Sequence, residues 1–176
     1  MPSYKKEILL QKNTFTAMSE IYNAINKEEL TVLRKSIADV AVLAALADDG
    51  KIDTKEKASA IKLANQRTFT SKPVLHDFYK EVEQHLAADF DEVINDLPKG
   101  DVEVQKTFLR DELNKVKPIL SKLSANFGKH YTESQKSFAE HVFKTNASLL
   151  TSFFTSLDGA MDGKIFGEEE EEETGI

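Results

Sequence analysis

The stretch that decides the fold runs from Ile37 to Ala47 and reads Ile-Ala-Asp-Val-Ala-Val-Leu-Ala-Ala-Leu-Ala. Apolar residues occupy almost every position, so a helix formed by this stretch is hydrophobic around nearly its whole circumference. A helix of this kind is normally enclosed by other helices. We therefore predict that residues 27–47 form the central helix of a bundle.

Helical spacing of apolar residues extends outward from this stretch in both directions, and no segment shows the sustained period of two that marks a strand. The predicted helices cover 16–26, 27–47, 53–67, 71–88 and 91–97, then one that starts after Asp101 and breaks near Val116 because of Pro118, and one from Thr132 to Leu157. Two starts, Asp53-Thr-Lys-Glu56 and Thr132-Glu-Ser-Gln135, have the spacing of capping boxes. The predicted fold class is all-α, a compact multi-helix bundle of two pseudo-repeated helical halves joined by acidic helix-loop-helix junctions.

Length and charge divide the chain into a body and a tail. The 176 residues suffice for one domain, which we assign to residues 1–167. Six of the 30 acidic residues form the run Glu168–Glu173. The rest of the chain contains 24 acidic and 23 basic residues, so its charge is close to neutral. The net charge of −7 therefore belongs mainly to the tail. We expect residues 168–176 to be a solvated, disordered tail.

Composition excludes several classes of protein. The chain has no Cys, which excludes disulfides, thiolate zinc sites and cysteine nucleophiles. Basic residues are scattered without the positive footprint that nucleic acid requires, so we expect no binding of DNA or RNA. The longest apolar run, Val40–Ala47, is far shorter than the roughly 20 residues that span a membrane. The apolar run Ile8–Leu10 is too short for a signal peptide. We expect a cytoplasmic protein without a membrane span.

Two loops share an acidic pattern. Residues 47–56 and 158–169 both contain Asp-Gly-Lys-Ile followed by a Glu four residues after the Ile. Setting Gly50 on Gly163 also places Ile37 on Leu150 and Val40 on Phe153, so the match extends back into the preceding helix. The separation of the two copies suits half-domains related by duplication.

The pattern resembles part of a calcium loop, which places carboxylates at positions 1, 3 and 5, Gly at 6, a backbone carbonyl at 7 and Glu at 12. In the second loop, positions 1, 5 and 12 are occupied by Asp158, Asp162 and Glu169. In the first loop, positions 5, 9 and 12 are occupied by Asp49, Asp53 and Glu56. These six carboxylates are the candidate ligands for Ca²⁺ or Mg²⁺. Each loop is incomplete, so further oxygens have to come from water or from elsewhere in the protein.

A structural interpretation of the same loops stays open beside the metal one. Asp53 and Glu56 have the spacing of an N-cap and its reciprocal partner, and Gly50 suits a left-handed C-cap. Glu169 carries little information, since a run of Glu fills position 12 in any nearby register.

The segment Val42-Leu-Ala-Ala-Leu-Ala-Asp-Asp-Gly-Lys-Ile-Asp-Thr-Lys-Glu56 resembles the signature of the TerB-like tellurite-resistance family. In that family an apolar helix leads into Ala-Asp-Gly-x-Ile-Asp and then a Glu. The resemblance implies an all-helical protein of two related halves, a role in stress or tellurite resistance, and acidic loops that hold a divalent metal. By position it assigns the ligands to Asp49, Asp53 and Glu56, with Asp162 and Glu169 in the second copy.

No other constellation indicates catalysis. HExxH and Gly-x-Ser-x-Gly are absent, and Glu81, His85 and Asp89, which share one predicted helix face, fit a solvated face better than a metal site. The predicted function is a non-enzymatic, divalent-metal-binding helical module. The alternative is a structural or protein-interaction scaffold without a metal site, whose acidic tail binds a basic protein partner.

Overall fold

The computed structural model describes residues 21, 23–51, 53–143 and 155. Its elements are α1 (Lys27–Asp48), α2 (Thr54–Thr70), a 3₁₀ turn (Pro73–Leu75), α3 (His76–Asp96), α4 (Val102–Asn114), α5 (Val116–Leu120) and α6 (Ala125–Phe143). The all-α class is confirmed, since none of these described residues forms a strand. Most of the predicted helix over 16–26, the second acidic loop and the boundary at 167 lie outside the described residues.

Helix α1 is the centre of the bundle, as the sequence predicts. Every residue from Ile37 to Leu46 is buried, with at most 6% of its surface exposed. The helix packs against α3, α4, α5 and α6. Its start is fixed by a capping box, in which the Asn26 side chain accepts from the Glu29 amide at 2.8 Å. A helix apolar on all faces is stable here because neighbours cover all of them.

Helix α3 lies against both α1 and α2 and is longer than predicted. The sequence predicts an interruption between residues 88 and 91, whereas the helix is continuous from His76 to Asp96. Asp89 and Phe90, at the predicted interruption, are 2% and 0% exposed. Burial of these two residues holds the backbone helical, so tertiary packing overrides the local signal. The helix ends at Asp96, and Leu97, the residue before Pro98, is no longer helical, as expected next to a proline.

Helix α6 begins earlier than the predicted start at Thr132. Its first residue is Ala125, and the Ser124 hydroxyl accepts from the Phe127 amide at 3.2 Å. Thr132 is buried within the helix and donates to the Gly128 carbonyl at 3.0 Å. The earlier start lets Phe127 enter the core, where it is 2% exposed. The Thr132–Gln135 capping box is therefore a wrong prediction, whereas the break before Pro118 is confirmed by the end of α4 at Asn114.

A cluster of four aromatic rings joins α3 to α6, with ring centroids 5.4–6.2 Å apart: Phe78, Tyr79, Phe127 and Tyr131. Both buried tyrosine hydroxyls have partners, Ser134 for Tyr79 at 2.6 Å and Ser36 of α1 for Tyr131. Burial raises the pKa of each tyrosine, so both stay neutral. The cluster fixes α1, α3 and α6 relative to one another. None of the helices in the described ranges has the length and apolarity to cross a membrane.

Candidate functional site

The first acidic loop joins α1 to α2 and turns at Gly50. This glycine has φ of +82°, which other residues rarely adopt. The loop begins at Asp49, whose amide still donates to the Ala45 carbonyl at 3.3 Å and whose Oδ1 accepts from the Lys51 amide at 3.2 Å. The predicted left-handed conformation of Gly50 at the end of α1 is confirmed.

Asp53 and Glu56 form the predicted capping box at the start of α2. Asp53 Oδ1 accepts from the Glu56 amide at 2.8 Å, and Glu56 Oε2 accepts from the Asp53 amide at 2.8 Å. Two amide groups that a helix start leaves without partners are thereby satisfied. The capping box that the spacing of these two residues predicts is confirmed.

Each carboxylate of the first acidic loop keeps one oxygen outside the hydrogen bonds of the loop. Asp49, Asp53 and Glu56 each use one carboxylate oxygen in these bonds, and the other oxygen accepts no hydrogen bond from the described residues. Within the part of the chain that the structure describes, no three Asp, Glu, His or Cys side chains are grouped so as to hold a metal. The structure thus brings Asp53 and Glu56 together but does not gather Asp49 with them into a three-ligand site. Asp158, Asp162 and Glu169 lie outside the described residues.

Asp89 shows that the face it shares with Glu81 and His85 is not a uniformly solvated one. Its carboxylate accepts from Arg34 Nε at 2.8 Å and from Nη2 at 2.9 Å, and only 3% of its side chain is exposed. His85 Nδ1 donates to the Glu81 carbonyl at 2.9 Å. Asp89 therefore serves as the anionic partner that lets Arg34 enter the α1–α3 seam.

Helix α2 carries a second apolar stripe that faces outward. Its inner stripe, Ala60, Ala64 and Thr68, is buried against the bundle. A groove of about 570 Å³ on its outside, which we call the α2 outer groove, is lined by Ala58, Ile61, Lys62, Asn65, Gln66 and Phe69. The Phe69 side chain is largely in solvent, since the residue is 79% exposed.

Sequence reasoning did not single out the α2 outer groove, although a signal for it is present. Ala58, Ile61 and Phe69 fall on one face at helical spacing, and Ala60 and Ala64 fall on another. Two apolar stripes on one short helix indicate that it can contact neighbours on two sides.

Comparison with models of protein families, with curated proteins and with solved structures found no match to this chain. The resemblance to the TerB-like family therefore stays a prediction that rests on the residues from Val42 to Glu56.

Proposed function

We propose that the protein is a non-enzymatic helical interaction module that binds an amphipathic helix of a partner protein in the α2 outer groove. The observation that carries the proposal is the exposure of Phe69 at 79% on a helix whose other face is fully buried. A large apolar side chain beside further apolar surface favours contact with another protein.

The dimensions of the groove suit a helix. Ala58 and Phe69 are three turns apart, which corresponds to about 16 Å along α2. A contact of this length accommodates the ridges of a partner helix between the side chains of α2. The inner face holds α2 in place, because Ala60 and Ala64 are 0% exposed and α2 packs on both α3 and α6. A groove on a fixed helix loses little conformational entropy on binding.

The polar lining selects the chemistry of the partner. Lys62 is the charged residue of the groove, and Asn65 and Gln66 add amide groups. A partner helix with an apolar stripe and an Asp or Glu opposite Lys62 complements this lining in shape and in charge.

Affinity capture from cells with Phe69→Asp and Val104→Asp variants tests the proposal. Val104, on α4, is the matched control, since it is a large apolar residue exposed at 47% outside the groove. We expect a protein captured by the native chain and by Val104→Asp to be lost with Phe69→Asp. That protein should then slow amide hydrogen exchange in α2. Identical capture by all three chains contradicts the proposal, and so does a native dimer that Phe69→Asp dissociates, since a second copy would then fill the groove.

Metal binding by the two acidic loops is the second candidate. It is supported by the Asp-Gly-Lys-Ile pattern that residues 47–56 share with residues 158–169. It is also supported by the carboxylates of Asp49, Asp53 and Glu56, each of which keeps one oxygen that accepts no hydrogen bond from the described residues.

Calcium titration of the full chain separates the two candidates. If both loops share an ion, millimolar Ca²⁺ raises the melting temperature, because a ligand that binds only the folded state stabilises it. Asp49→Ala and Asp162→Ala should each abolish that rise. Asp91→Ala, on the outside of α3, should leave the rise in melting temperature unchanged. An unchanged melting temperature of the native chain removes the metal candidate and leaves the interaction module.

A further inference from the structure

A second cavity, of about 280 Å³, lies between the end of α2 and the first half of α6. We call it the Arg67 pocket. Its lining includes two cations and four hydroxyl groups: Arg67, Lys72, Thr70, Ser71, Ser134 and Ser137. The volume is just below the range of roughly 300–1,000 Å³ that holds drug-sized ligands, so the cavity suits a smaller molecule. A lining of cations and hydroxyl donors is the chemistry that binds an oxyanion.

Arg67 is a cation that has no anionic partner among the described residues. Its Nη1 donates to the Ser134 carbonyl at 3.0 Å and to the Ser134 hydroxyl at 2.6 Å, and its Nη2 donates to the Ser137 hydroxyl at 3.0 Å. All three acceptors are neutral, and Arg67 makes no ion pair with a carboxylate of the described residues. The guanidinium also lies within hydrogen-bonding reach of the Tyr79 hydroxyl, and its Nε is buried and has no hydrogen-bond partner among the described residues.

Ser71 supplies a further unused donor at the same pocket. Its amide donates to the Arg67 carbonyl at 3.1 Å, and its own carbonyl accepts from His76 Nε2 at 2.8 Å. Its hydroxyl is buried and has no hydrogen-bond partner among the described residues. The backbone contacts thus fix the position of a hydroxyl that is itself unused. Buried polar groups in folded proteins nearly always have a partner, so Arg67 Nε and the Ser71 hydroxyl need an acceptor.

One carboxylate borders the pocket and sets its charge. Glu133 accepts from His130 Nδ1 at 3.0 Å, and 56% of its side chain is exposed. Its charge is therefore at the solvent side, tied to His130, whereas the Arg67 guanidinium lies among the hydroxyls. With His130 neutral, Arg67 and Lys72 outweigh Glu133 by one positive charge.

We propose that the Arg67 pocket binds a phosphate group, either as free phosphate or as the monoester of a small molecule. A phosphate dianion offers several acceptor oxygens to the exposed Lys72 ammonium and to the Arg67 guanidinium. A small movement of the Arg67 and Ser71 side chains would bring their buried, unpartnered donors to the same anion. It also supplies the negative charge that the guanidinium lacks. The site is separate from the α2 outer groove and does not depend on its function.

Thermal unfolding of the full chain in inorganic phosphate, with ionic strength held constant by NaCl, tests the proposal. The melting temperature of the native chain should rise with phosphate and saturate at millimolar concentration. Arg67→Gln should bind at least about tenfold more weakly, the effect of losing one charge-assisted hydrogen bond. Arg110→Gln, on α4, changes the net charge equally and should respond as the native chain does.

Two further variants keep the test decisive if Arg67→Gln does not fold. Lys72→Gln removes a charge from an exposed side chain and should weaken phosphate binding, and Glu133→Gln removes the opposing charge and should strengthen it. A short alkyl phosphate in place of phosphate identifies the source: tighter binding of the monoester indicates a small-molecule ester, and equal or weaker binding indicates free phosphate. The proposal is overturned if the melting temperature of the native chain shows no saturable response to phosphate. It is also overturned if sulfate and chloride raise the melting temperature as much as phosphate does.

Discussion

Arg34 in the α1–α3 seam and Arg67 in the α2–α6 seam are two partly buried arginines with different surroundings. Arg34 donates two hydrogen bonds to one carboxylate, that of Asp89. Arg67 donates to one backbone carbonyl and two serine hydroxyls, and no carboxylate of the described residues pairs with it. The first seam pairs its guanidinium with a carboxylate, whereas the second, on our proposal, does so only with an external anion. An arginine without a carboxylate partner, and not a charged residue as such, therefore marks a candidate site.

Asp89→Ala should have the largest effect on stability, because it leaves Arg34 without a carboxylate partner, as Arg67 is. We expect the free energy of unfolding to fall by about 3 kcal/mol, the lower end of the effect of removing one partner of a buried ion pair. Urea unfolding of the variant measures this loss.

The control for Asp89 is Asp91→Ala on the same helix. Asp91 pairs with Lys57, but 66% of its side chain is exposed, so we expect a loss below about 1 kcal/mol. Arg67→Met should cost less than Asp89→Ala, about 1–2 kcal/mol, because it removes hydrogen bonds to neutral acceptors but separates no ion pair. Equal losses for Asp89→Ala and Arg67→Met would contradict the contrast between the seams.

Asp39 of α1 is a second buried carboxyl group near Asp89, and burial disfavours its charged form. Burial raises its pKa to about 7 against the opposing effect of Lys35, and Glu112 and Asp89 raise it further. The folded protein thus keeps a proton that the unfolded chain loses near pH 4. The stabilisation that this proton gives the folded protein is complete below the ordinary pKa of an Asp carboxyl, 3.8, and is lost as the pH rises to about 7.

Urea unfolding between pH 5 and pH 8 measures this dependence. We expect stability to fall with rising pH, by at most about 1.4 kcal/mol per pH unit from this group. Asp39→Asn, which cannot ionise, should flatten the profile and be more stable than the native chain at pH 8. Asp91→Asn, an exposed control, should retain the native slope. A native slope in Asp39→Asn would show that other groups are responsible.

Asp53→Ala gives the smallest effect and tests the first acidic loop. Loss of the N-cap should lower stability by about 1 kcal/mol. Asp53→Asn keeps an oxygen that can accept from the Glu56 amide, so it should lose only a few tenths of that amount. If both variants lose the same free energy of unfolding in the absence of metal, the charge of Asp53 contributes more to stability than the hydrogen bond it accepts from the Glu56 amide.

Local signals predicted part of the fold correctly. The apolar run from Ile37 placed α1 at the centre, and the Asp53–Glu56 spacing predicted the start of α2. Each depends on neighbours within a few turns of helix. The break inside α3 and the start of α6 were predicted wrongly, because Phe90 and Phe127 are held in helices by a core that only the folded chain provides.

The first acidic loop and the Arg67 pocket differ in whether their residues are close together in the sequence. The first acidic loop is visible in the sequence because its carboxylates lie within eight residues of one another, and the structure shows three of them bonded to nearby amides. The Arg67 pocket combines residues 67–72 with residues 130–137. No local spacing connects Arg67 with Ser134, so only the packing of α6 on α2 reveals the site.

A photo-crosslinker at Phe69, the most exposed large apolar residue of α2, tests whether this helix presents a binding surface for a partner helix. Phe69→p-benzoylphenylalanine in the full chain, irradiated in cells, should give a covalent adduct with a partner protein. The same substitution at Val104 should give none. Adducts only within the chain, or only with a second copy, would contradict the claim, as would equal adducts from both positions.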